Sequence, residues 1–97
     1  MNDLVPTEFY LFQNYPNPFK EKTTIKYCVA YKTRVKITVF NPSGEMIEKL
    51  VDEIKEPGTY KVEFNLAISS MQLGKGNYLC RLEAGNYTGN KYMILEK

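Results

Sequence analysis

The chain has no histidine and no tryptophan, only two cysteines, and no apolar run long enough to cross a membrane as a helix. Each shortage removes a class of function. Without an imidazole there is no Ser-His or Cys-His nucleophile pair, and most zinc sites lose their usual nitrogen ligand. The carboxylates are scattered and no nucleophile has a base beside it, so no catalytic, metal-binding or cofactor-binding residues are expected. Thirteen Lys and Arg against eleven Asp and Glu leave a net charge of only +2, and the basic residues are spread out. That distribution does not indicate a nucleic-acid footprint. The opening MNDLVPTEFY lacks a basic region followed by an apolar stretch, so no signal peptide is expected within this chain.

What is present points to strands. A length of 97 residues suits one domain, and eight Tyr with five Phe is a β-leaning aromatic set. Period-2 alternation recurs along the chain, while a 3.6-residue period is nowhere convincing. Ile25, Tyr27 and Val29 share one face, as do Val35, Ile37 and Val39, then Tyr60, Val62 and Phe64, then Tyr78, Cys80 and Leu82. In the last segment Met93 and Leu95 form the expected inward pair. This parity turns Cys80 inward and Cys28 outward, an orientation unfavourable to a disulfide. It also leaves Phe40 and Leu79 facing out.

Turn chemistry separates these runs. Asn41-Pro42-Ser43-Gly44, Glu56-Pro57-Gly58 and Ala84-Gly85-Asn86 each read as a tight turn, with Gly supplying a positive φ where one is needed. Residues 45–51 (EMIEKLV) fit a strand or a helical turn, and their place between two hairpin signals argues for a strand. Residues 65–75 form the longest connection, with a single helical turn expected around Ser70. About seven strands with regular turns predict an all-β, antiparallel β-sandwich of immunoglobulin-like type.

Near the start stands QNYPNPF: Gln13, Asn14, Tyr15, Pro16, Asn17, Pro18 and Phe19. Each proline fixes its own φ and biases its predecessor away from the α region, so the stretch is stiff and non-helical. Tyr15 and Phe19 are the rings expected to anchor it on a core. A purely structural role, a rigid turn with two anchored rings, accounts for this much.

The order of motifs extends beyond that. Phe9-x-Leu11-x-QNYPNPF, Thr24-Ile25-x-Tyr27, Val35-x-Ile37-x-Val39-Phe40-Asn41-x-x-Gly44 and Pro57-Gly58-x-Tyr60 follow one another. Gly76-x-Tyr78-x-Cys80-Arg81-Leu82-x-Ala84-Gly85 and Lys91-x-Met93-x-Leu95-x-Lys97 complete the series. Together they resemble the type A C-terminal sorting domains of type IX secretion. The resemblance implies a sorting domain over residues 9–97, with residues 1–8 a linker or the remnant of a cleavage region. It implies an N-terminally attached cargo, recognition by the outer-membrane translocon, and removal by a sortase-like peptidase. The protein would be in the periplasm in transit, before that recognition and removal, and the cargo would end at the cell surface or in the medium. Lys91, Met93, Leu95 and Lys97 are the residues expected to be read by the translocon, because a terminal edge strand can be bound by strand addition. The competing reading of the same residues is a structural immunoglobulin-like module, of the hook-cap or surface-scaffold kind, that mediates protein–protein contacts.

Overall fold

The computed structural model describes residues 6–66 and 73–96. The helical turn expected near Ser70 and the closing Lys97 lie outside the described residues. Seven strands follow in order: β1 (Tyr10–Leu11), β2 (Lys22–Val29), β3 (Thr33–Phe40), β4 (Met46–Lys55), β5 (Gly58–Asn65), β6 (Gly76–Ala84) and β7 (Tyr87–Leu95). They form a three-stranded sheet in the order β1-β2-β5 and a four-stranded sheet in the order β4-β3-β6-β7. Every strand pair is antiparallel. The two sheets form a β-sandwich.

The alternation read from sequence decides which side chains meet between the sheets. Ile25, Tyr27 and Val29 face Val35, Ile37, Val39, Cys80, Leu82, Met93 and Leu95 across a buried core. Cys80 is buried and Cys28 is half-buried, and both are free thiols. Tyr27 stacks on Tyr60, with ring centroids 5.5 Å apart.

Residues 46–55 are a strand, and their ambiguous pattern has a physical cause. Thr38 pairs with Lys49 where Ile37 pairs with Val51, and Phe40 pairs with Met46 where Val39 pairs with Glu48. Leu50 and Ile47 are thus the extra residues of two β-bulges. Both pack partly against the core. The inward positions 47, 50 and 51 therefore take a spacing that imitates a helix.

Two of the three tight turns are as expected. Gly44 has φ +90° and Gly85 has φ +57°. Asn41 organises the first turn, its Oδ1 accepting the N–H groups of Ser43 and Glu45 at 3.0 and 2.9 Å. Glu56-Pro57-Gly58 differs. It carries the chain from the four-stranded to the three-stranded sheet, and Gly58 is the first residue of β5, opposite Val29, without a positive φ. An extended crossing between sheets has no need of the left-handed region.

Candidate functional site

β7 is an outer strand of the four-stranded sheet, so one row of its backbone groups faces away from β6. Left open, such an edge invites pairing with another chain. QNYPNPF closes it. Gln13 Nε2 donates to the Tyr92 carbonyl at 2.7 Å, and Asn17 Oδ1 accepts the Ile94 N–H at 2.9 Å. The Phe19 N–H donates to the Ile94 carbonyl at 2.9 Å, and the Glu96 N–H donates to the Phe19 carbonyl at 2.8 Å. Phe19 thereby forms a parallel bridge with Leu95. Two amide side chains and one backbone unit do the work of a neighbouring strand.

A buried polar network holds this clip in shape. Asn14, 3% exposed, donates through Nδ2 to the Pro16 carbonyl at 3.1 Å and to Thr23 Oγ1 at 2.9 Å. The Thr23 hydroxyl donates to the same Pro16 carbonyl at 2.8 Å, and Gln13 Nε2 donates to Asn14 Oδ1 at 2.8 Å. Buried polar groups of this kind are costly unless every one is paired, and among the described residues no buried side-chain nitrogen or oxygen lacks a partner. Both X-Pro bonds of the motif are cis.

The two rings of the motif part company. Phe19 is 1% exposed and meets the Phe64 ring edge-on at 6.0 Å. Tyr15, expected as a second anchor, is 79% exposed. The reason is its backbone, which forms an antiparallel bridge with Thr24 through N–H···O bonds of 3.0 and 2.9 Å. That pairing puts the Tyr15 side chain on the outer face, where Lys26 also points, and leaves it in solvent.

On the terminal strand, Met93 is 0% and Leu95 1% exposed, so burial withdraws both side chains from any partner of the folded domain. Tyr92 and Ile94, between them, are 63% and 40% exposed. Lys91 is half-buried, with Nζ 5.9 Å from the Tyr10 ring centroid. Gly76 and Tyr78 join this end of the sheet by pairing with Leu95 and Met93. The Tyr78 hydroxyl donates to the Gly74 carbonyl at 2.6 Å, and burial raises its pKa. Gly44, Gly58, Tyr60 and Gly85 act elsewhere, in turns and in the packing of β5. Thr23, Tyr92 and Ile94 were not singled out from sequence. Parity carried back two residues from Ile25 would have turned Thr23 inward and shown that it needed a partner. Among the described residues no group of His, Cys, Asp or Glu is placed to hold a metal ion.

The family model described as the secretion system C-terminal sorting domain matches residues 13–96. The chain belongs to this family. The matched span opens on Gln13, the first residue of the clip, and closes on Glu96, its last partner. This is a sorting-signal family of type IX secretion, which implies a secreted protein and a secretion-system partner. No curated protein and no solved structure matches the chain. In the sorting domain, then, the sequence that opens the match and the sequence that closes it are one structural unit.

Proposed function

We propose that this sorting domain directs an N-terminally attached cargo across the outer membrane, and that the translocon reads the clip and the exterior of β7 together. The observation that carries this reading is the row of hydrogen bonds from Gln13, Asn17 and Phe19 to Tyr92, Ile94 and Glu96. It makes the two ends of the matched span one rigid surface. On that surface the exposed Tyr92, Ile94 and Tyr15, with Lys91 beside them, are the groups a partner can touch. Met93 and Leu95 contribute by holding the strand in the core. Simple strand addition along residues 92–96 would require displacing the clip, so the recognised form is the clipped one. A sortase-like peptidase then removes the domain by cutting before Phe9, leaving the cargo at the surface or in the medium.

The experiment fuses residues 1–97 behind a signal peptide and a fluorescent protein in a bacterium with type IX machinery. The intact fusion is expected at the surface or in the medium. Deleting residues 91–97 is expected to stop export, and so is Tyr92→Ser/Ile94→Ser, which spares the core. Retention of the intact, folded fusion in the periplasm would shift the assignment to a structural or assembly module. Full export of the double variant would refute the proposed surface.

A further inference from the structure

The outer face of the three-stranded sheet breaks a rule of antiparallel pairing. Its register sets Lys26 of β2 directly opposite Lys61 of β5. Like charges in that relation destabilise a sheet. Neither lysine makes an ion pair among the described residues, whereas Lys32, Arg34, Lys49 and Lys55 each have a carboxylate partner. The contact of Lys26 with the Phe12 ring and the neighbouring exposed Glu63, opposite Thr24, offset only part of that repulsion. An arrangement that works against stability marks a place to look for binding.

Beside the pair lies a cleft of about 370 Å³ lined by Phe12, Gln13, Tyr15, Thr24, Lys26 and Lys61. No carboxylate lines it. Lys26 Nζ stands 4.8 Å from the centroid of the Phe12 ring, and the Tyr15 ring is exposed on the other side. Ammonium groups on adjacent strands, whose backbones are about 5 Å apart, can converge on one carboxylate. The rings next to them offer apolar surface.

We propose that this cleft binds an acidic peptide segment, with a Glu or Asp carboxylate between Lys26 and Lys61 and a neighbouring apolar side chain against Phe12 and Tyr15. Charge complementarity sets the sign of the ligand, and the lining sets its class. A saccharide brings several hydroxyl groups per ring. Of the neutral polar groups in the lining, Gln13 Nε2 already donates to Asn14 and to the Tyr92 carbonyl. That leaves the Thr24 and Tyr15 hydroxyls and Gln13 Oε1 against two ammonium groups that favour a carboxylate. A nucleic acid needs a track of cations along its backbone, and here there is a single pair. The cleft shares Gln13 and Tyr15 with the surface proposed for the translocon, whereas Lys26 and Lys61 lie outside that surface, so variants at the two lysines test this inference separately from the sorting role.

The test uses the full chain and a fluorescein-labelled decapeptide carrying two Glu residues around one Phe, followed by fluorescence polarisation. A peptide with Gln in place of Glu and a tetragalacturonate competitor serve as controls. The acidic peptide is expected to bind and to weaken with added salt. Lys26→Gln and Lys61→Gln should each weaken it about fivefold, the factor a partly screened ion pair carries. Lys61→Glu should abolish binding while raising the thermal midpoint, because it replaces the like-charge pair with an opposite one. Equal binding by the Lys26→Gln/Lys61→Gln variant, or no binding at millimolar peptide, would overturn the proposal. So would binding of tetragalacturonate without binding of the peptide, which would make an acidic saccharide the ligand. A lower midpoint for Lys61→Glu would remove the physical premise.

Discussion

Truncating each ring of the QNYPNPF motif separates anchoring from exposure. Phe19 is 1% exposed, packs edge-on against Phe64, and carries the backbone bridge to β7. Removing a buried Phe side chain costs about 3–5 kcal/mol, the lost burial plus the cavity it leaves. In a domain of this size each kcal/mol lowers the thermal midpoint by roughly 4–8 °C, so Phe19→Ala should lower it by at least about 12 °C. Tyr15→Ala removes a ring that is 79% exposed and should change stability by no more than about 0.5 kcal/mol.

Urea and thermal denaturation of both variants provide the comparison. Phe19→Leu, at a cost of about 1.5 kcal/mol or less, keeps the domain folded if the alanine variant does not. Hydrogen exchange then tests the connection to the terminal strand. The Glu96 N–H is held by the Phe19 carbonyl and the Ile94 N–H by Asn17, so both should exchange faster in Phe19→Leu. A midpoint for Phe19→Ala no lower than that of Tyr15→Ala would refute the assignment of Phe19 as the anchor. Unchanged exchange at Ile94 and Glu96 would refute the clip.

Gly85→Val should lower the midpoint more than Gly44→Val. Both positions have positive φ, worth about 1–3 kcal/mol of strain for a β-branched residue, but a Cβ at Gly85 also runs into the Tyr31 hydroxyl while one at Gly44 meets nothing within 4 Å. Wild-type midpoints for both would show that these turns are wrongly placed. On the alkaline side, burial pushes the Cys80 thiol from 9.0 up to about 12, and burial, with Tyr60 and Glu53 adding to it, pushes Tyr27 from 10.0 up to about 12. The folded state keeps both groups neutral while the unfolded state releases their protons first. Their contribution is therefore complete below about pH 9 and is lost as the pH rises towards about 12. Urea midpoints that stay flat across that window, or rapid alkylation of Cys80 by iodoacetamide in the native state, would contradict this.

Most of the fold was legible because its strands keep strict alternation. The inward sets of β2, β3, β6 and β7 are those read from the sequence, down to Cys80 in and Cys28 out. β4 was legible only by its position, since two bulges insert Ile47 and Leu50 and erase the period. The turn at Gly58 was misread because Pro-Gly has the same composition in a hairpin and in a crossing between sheets. At the site, the importance of QNYPNPF was visible but its partner was not. Side-chain amides that imitate a strand leave no periodic trace, and the residues they bind are more than seventy positions away. Tyr15 was misplaced for a related reason: its exposure follows from a single backbone bridge to Thr24, which composition does not encode.

The clip also determines when the proposed signal can exist. Its hydrogen bonds join Gln13 to Tyr92 and Asn17 to Ile94, separations of 79 and 77 residues. Contacts this distant must meet the entropy of closing the whole chain before they contribute anything. Neither half of the domain can form them alone, because β2 to β6 all lie between residues 13–19 and 92–96 in the sequence. Phe19 adds a second long-range contact, since its ring packs edge-on against Phe64 of β5. A surface assembled from both ends therefore appears only once the sandwich is complete. A partner that reads it distinguishes a finished domain from an incomplete one, which linear recognition of either motif could not do.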